Sequence, residues 1–328
     1  MKILAFFNNK GGVGKTTLVY HLAWMFQEQG IRTVALDLDP QANLTAACLA
    51  EDELEKIWAM GDGAGTVYNF VEPYVEEASE ERRPKIVEIA KNLALVPGDL
   101  ALSRFEDRLA EVWGKCLDGR AAAFKATSAF FQLATCAGDE FEADVVLMDL
   151  GPSLGALNRA ALVASDHLII PLAADLFSQQ ALRNVGPTLS RWRREWENRT
   201  RHQPSGLSLP VGAMQAVGYI LLQHAVREDR PVKAYARWAN RIPPIYHHEI
   251  LGEPEGTPVP DPDPQRLASL KHYRSLMPLA QDARKPMFAL RAADGAIGAH
   301  AQAVQNCYRD FGLLALRIAE RVGVEPLE

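Results

Sequence analysis

Residues 8–17 read Asn8-Asn9-Lys10-Gly11-Gly12-Val13-Gly14-Lys15-Thr16-Thr17, and what stands on either side of them decides the fold. Before them Ile3–Phe7 is a short apolar run of the kind that forms a buried strand. After them, from Thr16 to Gln29, Leu18, Leu22, Met25 and Phe26 recur at helical spacing until Gly30 closes the pattern. Thr33-Val-Ala-Leu-Asp-Leu-Asp39 is a second strand, stopped by Pro40. A strand, a glycine loop, a helix and a strand in that order predict an α/β fold, with a mostly parallel central sheet flanked by helices.

The loop carries its own chemistry. Glycines let successive backbone N–H groups of Gly11, Gly12, Val13 and Gly14 turn toward one point, an anion nest at a helix N-terminus. Lys15 adds a charge for the β- and γ-phosphates of a nucleotide, the Thr16 hydroxyl a ligand for Mg²⁺, and Thr17 completes the motif. A strict G-x-x-x-x-G-K-[ST] pattern misses this loop, because Asn9 stands at the first glycine. The second lysine, Lys10, makes it the deviant form K-G-G-x-G-K-[ST]. Asp37 and Asp39, at i and i+2, project to one side of a strand end, at the edge where parallel sheets bind ligands.

Further along, Asn92–Val96, Asp144–Asp149, His167–Pro171 and Val217–Leu222 are expected strands, and Arg120–Cys136, Gln179–Trp196 and Gly298–Val322 expected helices. We expect one domain over 1–328, with a helical insertion at about 51–140 and an extended proline-rich loop at about 243–264. His247-His248-Glu249 lacks a third metal ligand and is expected on a surface loop.

The chain has 328 residues, 48% of them hydrophobic, enough for a full core and against wholesale disorder. Its formal charge is −6, which opposes an all-over basic surface and leaves room for one basic face. Cys48, Cys116, Cys136 and Cys307 lie far apart with no C-x-x-C pair, so neither a disulfide framework nor a zinc site is expected, and the simplest compartment is a reducing cytoplasm. The N-terminal apolar run is too short for a signal peptide, and no stretch nears the ~20 apolar residues that span a bilayer.

Beyond the loop, the sequence resembles the ParA/MinD family of deviant Walker A ATPases. Asp37-Leu38-Asp39-Pro40-Gln41-Ala42-Asn43 is similar to its switch segment D-x-D-P-Q-x-N, and Asp149-Leu150-Gly151-Pro152-Ser153-Leu154 to the segment ending its Walker B strand. Ala280 to Pro286 is loosely similar to E-A-x-x-x-G-K-P, with Leu279 for the acidic residue and Arg284 for the glycine. The resemblance implies that Lys10 reaches a partner subunit's ATP, that Asp39 orients or deprotonates the attacking water, and that Asp149 and Asp37 hold Mg²⁺ with Thr16. It places an adenine contact just after Val217–Leu222, with Leu222 and Gln223 the candidates; Gln223 offers both a donor and an acceptor.

It also implies an ATP-dependent homodimer that positions DNA or another cargo, with hydrolysis stimulated by a protein activator; the alternative is a nucleotide-gated regulatory subunit that binds no DNA. Two basic groups bear on this. Arg191, Arg193, Arg194, Arg199 and Arg201, interleaved with Trp192 and Trp196, are either a phosphate-backbone surface or, the preferred reading, a solvated helix end. Lys271, His272, Arg274, Arg284, Lys285 and Arg291 are the better candidate for nonspecific DNA. The last helix, with Val304, Cys307, Tyr308, Phe311, Leu314, Ile318 and Val322, reads as a core element. A membrane-targeting helix would be basic on its polar face.

Overall fold

The computed structural model describes residues 1–61, 65–76, 82–222, 237–273 and 275–325. Its centre is the strand that precedes the glycine loop, β1 (Lys2–Phe6), flanked by β5 (Val145–Asp149) and β6 (His167–Ala173). Outward on one side lie β2 (Thr33–Asp37), β4 (Leu93–Val96) and β3 (Val87–Ala90); on the other lie β7 (Gln215–Leu222) and β8 (Arg266–Leu270). The order is β3-β4-β2-β5-β1-β6-β7-β8, with every neighbouring pair parallel except β3 with β4. Every residue of β2, β5 and β6 is buried, as a sheet covered on both faces demands.

Alternate residues of β1 enter two cores. Ile3 and Ala5 pack with the helices of one face, and Leu4 and Phe6 with those of the other. The first face carries α4 (Val67–Val75), α5 (Arg104–Lys115), α6 (Ala121–Thr127), α7 (Ala129–Phe141), α8 (Ala156–Ala164) and α9 (Leu176–Thr200). The second carries α1 (Lys15–Glu28), which follows the loop, and also α2 (Asn43–Cys48), α3 (Glu51–Ala59), α11 (Met277–Ala283) and α12 (Ala299–Val322). α10 (Ile242–Glu249) packs on α9. No helix among the described residues is long and apolar enough to cross a membrane.

Several expectations need correction. The edge strand β3 was not foreseen, because its residues are half exposed and their pattern is weak; it pairs with β4 across a turn in which Asn92 takes a φ of 66°. The single helix expected over Arg120–Cys136 is two, broken where the Ser128 hydroxyl donates to the Phe124 carbonyl at 2.6 Å. The proline-rich stretch is not loop throughout. Pro243 and Pro244 open α10, where the N–H that proline lacks has no helical partner to lose.

His247 consequently lies on that helix and not on a surface loop. Buried at 6% exposure, it meets Glu253 Oε2 through Nδ1 and Asp263 Oδ1 through Nε2, both at 3.1 Å, while the Tyr219 hydroxyl donates to Asp263 Oδ2 at 2.7 Å. Burial alone would lower its pKa, but hydrogen bonds to Asp263 and Glu253 raise it above the ordinary value.

The arginine-rich end of α9 is solvated on one side only. Trp192, Trp196 and Arg199 are buried; Arg199 donates to the Trp113 carbonyl at 2.8 Å, and Arg193 to that of Ala213 at 3.0 Å. Arg191, Arg194 and Arg201 remain exposed. In α12 Cys307, Phe311, Leu314, Ile318 and Val322 are core, while Tyr308 is half exposed.

Candidate active site

The glycine loop leaves the C-terminal end of β1 and enters α1 with Gly12 at φ 71° and Gly14 at φ 87°, conformations that only glycine adopts without strain. Asn8, buried behind it, anchors the loop by donating to the Pro171 carbonyl at 2.7 Å and accepting from the Lys10 N–H at 3.0 Å. Lys15 curls back into the loop. Its Nζ donates to the Asn8 carbonyl at 3.1 Å, and burial holds its pKa below the usual lysine value, with the Asp149 and Asp39 carboxylates opposing the shift.

Asp37 and Asp149 are register partners at the ends of β2 and β5, and both are fully buried. Asp37 Oδ2 accepts from the Thr45 N–H at 2.8 Å and from its hydroxyl at 2.6 Å, and that hydroxyl in turn accepts from the Gly98 N–H at 2.8 Å. Among the described residues Asp37 Oδ1 and both carboxylate oxygens of Asp149 have no hydrogen-bond partner within bonding geometry. Burial pushes both above the usual carboxylate range, helped at Asp37 by the Asp39 charge and at Asp149 by the Asp37 charge; bonds from Thr45 pull Asp37 back, and the neighbouring Thr16 hydroxyl and Lys15 pull Asp149 back. Buried carboxylate oxygens without partners suit a cation. Among the described residues no three His, Cys, Asp or Glu side chains cluster as a full metal cage. That fits Mg²⁺, which takes one or two carboxylates and completes its shell with phosphate and water oxygens.

Asp39 is 8% exposed, on the turn after β2, where its Oδ1 accepts from the Gln41 N–H at 3.0 Å. The segment after β5 lies against it, since a Cβ built on Gly151 would be 3.4 Å from Asp39 Oδ1. A cleft of about 740 Å³ joins these parts, lined by Gly11, Gly12, Gly14, Lys15, Thr16, Thr17, Asp39, Pro152, Arg284 and Lys285. Beside it, sharing Gly12, Gly14, Thr17 and Met277, is a more apolar pocket of about 330 Å³ lined by Val13, Leu222, Leu270, Tyr273 and Phe311. Leu222 thus stands in this pocket, and Gln223 lies outside the described residues.

Lys10 does not point into the cleft's centre. Its ammonium is paired with Asp175, the N-cap of α9, and lies 5.8 Å from the ring centroid of Phe177. Burial works against the Asp175 carboxylate, but bonds from Lys10 and the Ser178 N–H hold its pKa below the usual range. Of the basic group near the C-terminus, Arg284 and Lys285 border the cleft, and Lys285 Nζ is held by Asp294 at 2.8 and 2.9 Å. Arg274 lies outside the described residues.

His21, one turn beyond Thr17, was not foreseen. The Met287 N–H donates to its Nε2 at 3.0 Å, so Nδ1 carries the proton and donates to the Thr17 carbonyl at 2.7 Å. Full burial lowers its pKa to about 4, and the neutral ring ties the loop helix to the segment after Lys285-Pro286. Its place one helical turn past Thr17 was the available signal. For Asn8, Thr45 and Asp175, whose partners are distant in sequence or hidden in the loop, none existed.

Residues 1–201 match the AAA domain family AAA_31. The chain belongs to that family. Its relatives are ParA/MinD-type P-loop proteins: the IncC protein of Escherichia coli is 32% identical over 197 residues, 60% of this chain and 47% of that one. The chromosome partitioning protein ParA of Myxococcus xanthus is 30% identical over 193 residues, 57% of this chain and 58% of that one. The chain spans about half the length of the curated relatives it matches. Among solved structures the AAA_31 fold recurs in protein DIP2308 of Corynebacterium diphtheriae, at a TM-score of 0.73 and 24% identity over 98% of this chain and 99% of that one. It recurs also in the ATP complex of a Cyanothece McdA variant, at 0.62 and 16% over 100% and 98%.

Proposed function

We propose that this chain is an ATPase that binds ATP with Mg²⁺ at the glycine loop, dimerises across that face, and positions DNA or another cargo until a protein activator triggers hydrolysis. The observation that carries this is the buried Asp37–Asp149 pair, its unpartnered oxygens at the sheet edge from which Lys15 and Asp39 enter one cleft. The backbone of Gly11–Gly14 would wrap the phosphates, with Lys15 on the β- and γ-oxygens and Thr17 at the helix start. Thr16 and Asp149 would hold Mg²⁺, with Asp37 behind them; the ion would offset the charge that spreads over the transferred phosphoryl. Asp39 would orient the attacking water or take its proton. The apolar pocket beside the loop would take the base, with Leu222 against it and Gln223 next in sequence.

Lys10 would leave Asp175 and meet the phosphates of a second subunit. On this reading the protein works in the cytoplasm without a membrane, as one domain with an inserted helical segment. The ATP complex of the McdA variant and the AMPPNP complex of a plasmid partition protein from Borrelia burgdorferi, which share the fold, support the nucleotide. Light scattering of an Asp39→Ala variant with ATP and Mg²⁺ should show a stable dimer. A monomer under those conditions would sink this proposal.

A second reading, a regulatory ATPase acting on a protein without DNA, is favoured by one observation. Lys285 is neutralised by Asp294 and faces the cleft with Arg284, which leaves Lys271, His272 and Arg291 as the remainder of the basic patch among the described residues. Duplex binding that needs ATP and falls steeply between about 50 and about 200 mM salt would assign DNA as cargo. No binding at the lower salt would assign a protein.

A further inference from the structure

Glu106 lies on α5, in the helical segment between β4 and β5, yet its carboxylate closes the start of α8. Oε1 accepts from the Ala156 N–H at 2.5 Å and Oε2 from the Leu157 N–H at 2.7 Å. The residue at that helix's own N-cap is Gly155, which has no side chain to do this, and a Cβ built there would collide with Glu106 Oε1. The orphan N–H groups of α8 are therefore satisfied from another element, by a carboxylate whose charge also suits the helix dipole.

What this cap holds is the segment 150–155 that borders the proposed site. Within the first turn of α8, buried Asn158 donates from Nδ2 to the Gly151 carbonyl at 2.8 Å and to the Ser153 carbonyl at 2.6 Å. Gly151 lies against Asp39, and Pro152 lies 3.9 Å from a Cβ built on Gly11. A second tie runs from α8 back to α5. Arg159 Nη2 donates to the Leu109 carbonyl at 3.2 Å, and its guanidinium sits 4.2 Å from the Trp113 ring centroid. The start of α8, the segment 150–155 and α5 are thus one bonded unit, touching both the glycine loop and Asp39.

We propose that Glu106 is a positioning residue for hydrolysis. By capping α8 it sets the backbone of 150–155 against Asp39. Glu106 itself touches no nucleotide. The inference rests on the ATPase reading above, and the test separates the two.

The test uses the whole chain with Glu106→Ala, Glu106→Gln and, as a control on a neighbouring helix of the same sheet face, Tyr74→Phe, which removes a 2.6 Å bond to Gln132 remote from the site. Affinity for a fluorescent ATP analogue with Mg²⁺ and the basal turnover rate are measured for each. Glu106→Ala should lower kcat about tenfold while its affinity stays within about twofold, because the glycine loop is intact and only alignment at Asp39 is lost. Glu106→Gln keeps one acceptor oxygen and should recover part of the rate; Tyr74→Phe should turn over like the unaltered protein. The inference is overturned if Glu106→Ala matches the unaltered rate, if rate and affinity fall together, or if Tyr74→Phe falls as far. Should Glu106→Ala fail to fold, Glu106→Gln decides alone, and an unaltered rate in it overturns the proposal. An unaltered protein that binds no ATP, or never hydrolyses it, sinks the ATPase reading first; one that turns over with Glu106→Ala as its equal sinks only the role of Glu106.

Discussion

Asp37 and Asp149 face each other across β2 and β5 at the last position of each strand, both carboxylates fully buried. The sheet thereby brings two acids together where neither is solvated, an arrangement in which ionising both costs stability. Thr45 relieves Asp37 with two hydrogen bonds, while only the neighbouring Thr16 hydroxyl and the Lys15 charge ease Asp149.

Asp149→Asn should therefore stabilise the nucleotide-free protein. A buried acid whose folded pKa is raised keeps a proton that the unfolded chain has lost, so its burial costs stability increasingly as pH rises from about 4 toward the folded value. The melting temperature should rise by a few degrees at pH ~8, on the scale of about 1 kcal/mol per pKa unit removed, with a smaller gain at pH ~5. Calorimetry at both values checks this. The same variant should lose the Mg²⁺-dependent part of its ATP affinity.

Thr45→Val keeps the shape but removes the hydroxyl that serves both Asp37 and the Gly98 N–H. Leaving both short of a partner should cost about 2–4 kcal/mol in denaturant unfolding, and Thr45→Ser should restore most of it. A loss under about 0.5 kcal/mol would show that Asp37 does not depend on this contact.

Lys10→Ala and Lys15→Ala should part company. Lys10 is a partly exposed partner of Asp175, so its removal should change stability by less than about 1 kcal/mol and leave ATP binding intact, while abolishing ATP-induced dimers. Lys15→Ala should lose ATP binding itself. Titration and light scattering on both variants decide; identical behaviour would remove the separate role proposed for Lys10.

Two buried histidines should give pH dependences of opposite sign. His247 has a raised folded pKa, so its stabilising contribution is complete below pH ~6.5 and fades as pH climbs through the folded value. His21, lowered to about 4, contributes above pH ~6.5 and loses that contribution as pH falls toward 4. Comparing His247→Asn and His21→Asn with the unaltered protein across pH ~4–9 should flatten the alkaline limb in the first and the acid limb in the second. Slopes left unchanged would mean that neither ring titrates as its surroundings require.

The central parallel strands and the glycine-loop helix were legible because their causes are local. Alternation and apolar runs report burial, Gly12 and Gly14 report backbone angles that other residues resist, and Pro40 reports a strand end. The same local signals failed where they were weak or double-edged: half-exposed Val87–Ala90 fell inside an expected helical insertion, and Pro243 and Pro244 looked like loop while opening a helix.

The sequence by itself determined the α/β class and the glycine loop that joins β1 to α1, since each follows from spacing within a few residues. Only the tertiary structure decided that Asp149 stands beside Asp37, that Lys10 rests on Asp175, that His247 is buried between two carboxylates, and that Glu106 caps a helix from across the fold. Such contacts join residues from 6 to 165 positions apart. Their energies depend on burial and on the direction of a side chain, and neither is set until the layers have packed.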